Sequence, residues 1–144
     1  MANTQRSDYR YFQTIPTRWM DNDVYQHVNN VVYYSFFDTV INQYLILEGV
    51  LDYEKGATIG FAVESHCQYM RPISFPEVID AGLRVGHLGN SSVRYEIAIF
   101  KQGEAEPAAI GHFVHVFVSR ETGKPTPITG PLRDTLTRLM PPQA

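Results

Sequence analysis

Hydrophobic and polar positions follow two different periods along the chain, and the change of period divides it into elements. Tyr9 to Trp19 is rich in aromatic and β-branched residues, which predicts a strand. From Asn30 the apolar residues Tyr33, Phe36, Phe37, Val40, Ile41, Tyr44 and Leu47 recur at three- and four-residue steps, stopping just before Gly49, a natural residue past a helix end. This predicts one long helix. Charge on it is confined to Asp38 and Glu48, so most of its circumference is expected to be buried.

Strand-like runs follow. Phe61, Val63, Cys67 and Tyr69 mark the first, with Glu64, His66 and Gln68 as its polar positions, and the Pro72 to Pro76 stretch interrupts it. Ile79, Ala81, Leu83 and Val85 then alternate with Asp80, Gly82, Arg84 and Gly86, the period of a half-buried strand. Gly89-Asn90 supplies a turn into Val93, Tyr95, Ile97 and Ile99, Gly103 turns the chain again, and Ala108 to Ser119 forms a last strand. Pro131 opens a short helix carrying Leu132, Leu136 and Leu139. About five strands in hairpin sequence with one apolar helix predict an antiparallel sheet and an α+β layer architecture.

Composition narrows the classes open to such a fold. A chain of 144 residues, 44% hydrophobic, is expected to form one domain over residues 1–144 with an ample core. A net charge of -3 gives no basic surplus for collecting phosphates, which argues against a nucleic-acid partner. A single cysteine, Cys67, has no partner for an internal disulfide, and no Cys/His spacing suggests zinc, so a reducing, cytoplasmic setting is expected. Met1 to Arg10 is polar, and no window approaches the roughly 20 apolar residues of a membrane span.

The chemistry-bearing residues gather where the first strand meets the helix. Within Thr17 to Tyr34 lie Asp21, Asp23, His27, Asn29 and Asn30. The free N–H groups and dipole at a helix start favour a carboxylate or a developing oxyanion nearby. Each residue also has a plainer reading: Asp21 or Asp23 as a cap or Asx turn, Asn29 and Asn30 as helix starters, His27 as a loop histidine.

The run Arg18-x-x-Asp21-x-Asp23-x-x-x-His27-Val28-Asn29-Asn30-x-x-Tyr33 resembles the signature of the 4-hydroxybenzoyl-CoA thioesterase-like group of hotdog-fold acyl-CoA thioesterases, in the His-Val-Asn-Asn form shared with plant acyl-carrier-protein thioesterases. Tyr69-Met70-Arg71-Pro72 and the later alternating strands match as well. The resemblance implies an antiparallel sheet wrapped around a central helix and hydrolysis of an acyl-CoA or acyl-carrier-protein thioester. It implies Asp23 as the catalytic carboxylate, nucleophile or general base, with a backbone N–H near Asn30 as oxyanion donor and His27 assisting. Asn29, Tyr33 and Phe37 fall where substrate is bound, with Phe36 beside them, and Asp21 is expected to hold the loop. The plant-type pattern has asparagine where this chain has Tyr25, which departs from a shared Asp/Asn/His mechanism.

The demands of the reaction are modest, because a thiol with a pKa of roughly 8.5 leaves without much acid assistance. One carboxylate to attack or activate water and donors for the oxyanion suffice. No metal and no cofactor is expected, and uncovered sheet edges together with the resemblance imply a homodimer or homotetramer. Two rivals stand beside this reading. A hotdog acyl hydratase or dehydratase would carry Asp-x-Asn-Pro-x-His, which is absent, and a non-catalytic acyl-binding subunit would lack Asp23. Outside the signature, Glu64 and His66 share a polar face, His112 and His115 fall on opposite faces, and Cys67 reads as core. No Gly-x-Ser-x-Gly elbow, P-loop or His-Glu-x-x-His occurs.

Overall fold

In the computed structural model, which describes residues 4–141, one face of a five-stranded sheet carries a long helix. The elements are β1 (Tyr11–Pro16), α1 (Asn30–Leu47), β2 (Thr58–Tyr69), β3 (Val78–Leu88), β4 (Ser92–Lys101), β5 (Ala109–Ser119) and α2 (Gly130–Arg138). The sheet order is β1-β3-β4-β5-β2 with every neighbouring pair antiparallel, so β1 and β2 are the edges. This is the expected α+β hotdog architecture. The first strand is shorter than its sequence run, because the chain leaves the sheet at Pro16 and folds into a 3-10 turn over Trp19–Asp21.

Period-two alternation builds the core. Ala81, Leu83 and Val85 of β3, Val93, Tyr95, Ile97 and Ile99 of β4, and Phe113 and Phe117 of β5 are buried in one cluster with Tyr33, Phe36, Phe37, Val40, Ile41, Tyr44 and Leu45 of α1. Each large apolar side chain fully buried there contributes about 1.5–3 kcal/mol, so this seam fixes where the start of α1 lies. Gly49, at φ 73°, ends the helix in the left-handed conformation expected past a C-cap, and its N–H donates to the Ile46 carbonyl at 3.0 Å.

Two expectations are corrected. The helix is not buried around its circumference: Ser35, Asp38, Thr39, Gln43, Ile46 and Leu47 are exposed, because in a single chain the sheet covers one side only. In β2, Phe61 and Val63 do not share a face with Cys67 and Tyr69. The pairing with β5 shifts between Ala62 and Glu64, so Val63 is an extra, bulged residue and Phe61 moves to the outer face with Glu64 and His66. Phe61 is 60% exposed and Val63 52%.

Face assignments elsewhere hold. His115 is buried on the helix side, and His112 lies on the outer face, 2.6 Å from Glu64 and stacked on His66. Cys67 is half-buried against the core, and desolvation pushes its thiol up to about 11, so it is a neutral, unreactive group.

Burial lowers the pKa of His115 from its ordinary 6.5, partly opposed by Asp38, so the folded chain keeps this ring neutral. Below pH 6.5 the unfolded chain binds a proton here that the folded chain does not. Stability is therefore full above that pH and is lost as pH falls from 6.5 towards the lowered folded value, with a slope of at most about 1.4 kcal/mol per pH unit from this residue. Denaturant midpoints measured from pH 7.5 to 5 should fall, and His115→Phe should flatten the curve. An equal slope in the variant would assign the effect to other groups.

Candidate active site

The segment between β1 and α1 is fixed by its own polar side chains. Asp21 is buried; its Oδ2 accepts the Arg18 backbone N–H at 2.7 Å and its Oδ1 accepts two Arg18 guanidinium N–H groups at 3.1 and 2.9 Å. The Asp21 carbonyl accepts the Asn29 N–H at 2.8 Å, which ties the two ends of the loop together. Asp21 thus holds the loop, as expected. Asp21→Asn would place an amide N–H against an arginine donor in a buried position, costing about 2 kcal/mol, to be read from urea unfolding midpoints. A change under about 0.5 kcal/mol would contradict that role.

Within this frame Asn22 to Val28 makes a tight turn. Asn22 and Val28 form an antiparallel bridge, the Asp23 N–H donates to the His27 carbonyl at 3.0 Å, and the Gln26 N–H donates to the Asp23 carbonyl at 2.9 Å. Gln26 sits at φ 69°, a conformation that costs a non-glycine residue on the order of 1 kcal/mol and is common at functional loops. The turn is held to the chain beyond β2 by Val28 N–H to Ile73 carbonyl at 2.6 Å, Ser74 Oγ–H to Gln26 carbonyl at 2.9 Å and Phe75 N–H to Asn22 Oδ1 at 3.0 Å.

Asp23 is half-buried, and its Oδ1 accepts the Tyr25 N–H at 2.8 Å, the geometry of an Asx turn. This orients the carboxylate. Asn29 is the N-cap of α1, its Oδ1 accepting the Val31 N–H at 3.0 Å. Its carbonyl accepts the Val32 N–H at 2.9 Å, while the Asn30 N–H has no partner among the described residues. An open donor therefore remains at the positive end of an 18-residue helix.

The site residues fall around two cavities on either side of the turn. Asp23 and Asn29 line one of about 970 Å³ together with Trp19, Val24, Tyr25 and Phe75. His27, Asn30 and Tyr33 line another of about 340 Å³ together with Tyr69 and Arg71. Asp23 and His27 are not brought into one cavity. Tyr69 donates its hydroxyl to the Asn30 carbonyl at 3.1 Å and packs edge-on against Tyr33, 5.0 Å between ring centres, so β2 braces the first turn of α1. Desolvation pushes the Tyr33 hydroxyl up to about 12, which keeps it a neutral donor. Phe37 is fully buried and lines neither cavity; it packs beneath the site against Tyr34 and Phe113.

The sequence pattern that describes the thioesterase-like superfamily matches residues 17–136. The chain belongs to that superfamily. The matched span opens on Thr17 at the start of the site loop and runs through α1, β2, β3, β4 and β5 into α2. A curated relative, the uncharacterized protein YsmA of Bacillus subtilis strain 168, is 25% identical over 131 residues, covering 91% of this chain and 88% of its own. Among solved structures, the PA5185 protein of Pseudomonas aeruginosa PAO1 is 54% identical, superposes with a TM-score of 0.92 and shares 94% of this chain and 95% of its own. Slr0204 of Synechocystis, a 1,4-dihydroxy-2-naphthoyl-CoA thioesterase, has the same fold, with a TM-score of 0.81 over 88% of this chain and 95% of its own, at 14% identity.

One feature of this superfamily member escaped the reading of its sequence. Trp19, Met20, Val24 and Tyr25 are 80%, 73%, 88% and 79% exposed, an apolar rim around Asp23. The signal was present: Trp19, Met20, Val24 and Tyr25 stand among Asp21, Asn22, Asp23, Gln26 and His27, where no apolar period runs that would bury them. The Pro72 to Pro76 stretch, read only as an interruption, supplies Phe75, whose ring meets Trp19 edge-on at 5.9 Å.

Proposed function

We propose that the protein hydrolyses acyl-CoA thioesters, with Asp23 as nucleophile or general base and the helix start at Asn30 as the oxyanion donor. The observation that supports this reading is a carboxylate oriented by the Tyr25 N–H on the turn bounded by Asn22 and Val28 and, two residues past that turn, the unpartnered Asn30 N–H at the start of α1; the two line cavities on opposite sides of the turn, so the thioester has to lie across it. Asp23 Oδ1 is engaged by the backbone, leaving Oδ2 for water or for the acyl carbon. The Asn30 N–H then receives the charge that develops on the carbonyl oxygen. His27, on the other side of the turn, assists from the second cavity. The apolar rim of Trp19, Val24 and Tyr25 offers the acyl group a surface with Asn29 at its edge, while Tyr33 lines the second cavity and Phe37 supports the helix beneath. Slr0204 acts on an aromatic acyl group, and the aromatic rim here suits one of that class.

The protein is expected to work as a homo-oligomer in the cytoplasm. Among the described residues no helix is long and apolar enough to cross a membrane. The edge strand β2 presents twelve residues with Phe61 and Val63 exposed, a surface that a second copy would cover by continuing the sheet. Light scattering should give about 33 kDa or a multiple of it, twice the 16.4 kDa chain. A monomer at micromolar concentration would contradict this.

The activity is tested by following free thiol with a trapping dye across straight-chain, branched and aromatic acyl-CoAs. At least one should turn over with kcat/KM above about 10⁴ M⁻¹ s⁻¹, the lower end of ordinary enzyme efficiency. No thiol release from any of them would reject the reading.

A further inference from the structure

Tyr33 is 3% exposed, yet its hydroxyl makes no hydrogen bond among the described residues. Buried polar groups are ordinarily bonded, so an open one calls for a reason. The Tyr33 hydroxyl is not sealed in the core as the orphaned Tyr95 hydroxyl is. Tyr33 lines the second cavity, of about 340 Å³, and the hydroxyl is the part of this buried side chain that reaches open space. Packing fixes the ring behind it: Phe36 and Tyr69 meet it edge-on, with ring centres 6.0 and 5.0 Å away, and Tyr69 is itself bonded to the Asn30 carbonyl at 3.1 Å. Long side chains on a helix lean back over the preceding turn, and residues three apart share a face, so Tyr33 stands over the first turn beside Asn30. Asn30 brings to the same cavity an N–H that also has no partner among the described residues. The other polar side chains at this rim differ: His27 is exposed to water, and the Arg71 guanidinium is ion-paired with Glu106.

When the thioester carbonyl becomes tetrahedral, its oxygen carries a negative charge that accepts more than one hydrogen bond, and a single backbone N–H leaves it short of donors. We propose that the Tyr33 hydroxyl is the second oxyanion donor, acting with the Asn30 N–H on the carbonyl oxygen. The inference rests on the thioester reading above and adds a catalytic side chain to it. Tyr33 lends a hydrogen bond and keeps its proton, so Asp23 remains the carboxylate that attacks or activates water. As the intermediate collapses, the oxygen returns to a carbonyl and the thiolate leaves. Desolvation, which pushes the hydroxyl up to about 12, holds it in the donating form at neutral pH. The ring is already held by its neighbours, so the donor needs no reorganisation as charge develops.

The test is Tyr33→Phe, which removes one oxygen and keeps the ring against Phe36 and Tyr69. Its kcat should fall about 10²–10³-fold while KM stays within about twofold, the pattern for losing one oxyanion donor. Tm should stay within about 2 °C of wild type, because no bond inside the fold is lost. A donor to the carbonyl oxygen acts whichever thiol departs, so the loss in kcat should agree within about threefold between an acyl-CoA and the thiophenyl ester of the same acid. A loss that vanishes on the aryl thioester, whose thiol leaves more easily, would make Tyr33 an acid for the departing sulfur. A kcat within about threefold of wild type on both esters, a rise in KM alone, or a fall in Tm beyond about 2 °C would make the hydroxyl a binding or packing group. Each of these results overturns the proposal and leaves the thioester reading standing. Wild type that releases thiol from neither ester would remove the reading and the proposal together.

Discussion

Asp23→Asn is expected to lower kcat at least about a hundredfold, the minimum loss when a general base is removed, and more if the carboxylate attacks directly. The substitution isolates charge from shape. Asparagine retains an Oδ1 that can accept the Tyr25 N–H now bonded at 2.8 Å, so the turn from Asn22 to Val28 keeps its geometry. KM and unfolding midpoint should therefore change little, in contrast to Asp21→Asn, whose effect falls on stability because its carboxylate is committed to Arg18. A variant that is folded and retains more than about a tenth of wild-type kcat would exclude Asp23 as the reacting carboxylate.

Gly111→Ala should produce the largest loss of stability. A Cβ at this position would lie 2.1 Å from the His66 carbonyl oxygen and 2.6 Å from Phe37 Cε2. The first contact is backbone in the paired strand β2 and has no rotamer by which to escape; the second is the fully buried ring that supports α1 beneath the site. Relief requires β2 to move off β5 or the helix to rise off the sheet, a cost of about 3 kcal/mol or more. For a domain of this size that is a fall in Tm of roughly 10 °C, measurable by thermal unfolding. A Tm within about 2 °C of wild type would show that α1 and β2 do not approach Gly111 this closely.

The sequence specified the sheet and helix through periodicity because both are held by burial, and burial imposes a period. β3 and β4 alternate as their residues do, and α1 ends at Gly49 as its sequence requires. Two expectations fail for different reasons. The bulge at Val63 shifts parity by one residue without leaving a mark in composition, so Phe61 changed face. The scarcity of charge on the helix predicts enclosure, but the sheet of one chain covers one side only and leaves Val31, Ile46 and Leu47 exposed. At the site, the spacing of Asp21, Asp23, His27 and Asn30 draws attention to the loop that lies between the two cavities. It did not reveal that the turn separates Asp23 from His27, since that depends on the left-handed Gln26 and on contacts to Ile73, Ser74 and Phe75 far along the chain.

The most direct measurement of the central claim is mass spectrometry of the products formed from an unsaturated acyl-CoA in heavy-oxygen water. Hydrolysis at the carbonyl predicts one free thiol for each free acid, and an acid carrying a water-derived oxygen in its carboxyl group. A product that retains its thiol and has gained water across the double bond would instead make the protein a hydratase. An acyl-CoA recovered intact after incubation with enzyme that binds it would make the protein an acyl-binding subunit, and either result would contradict the account.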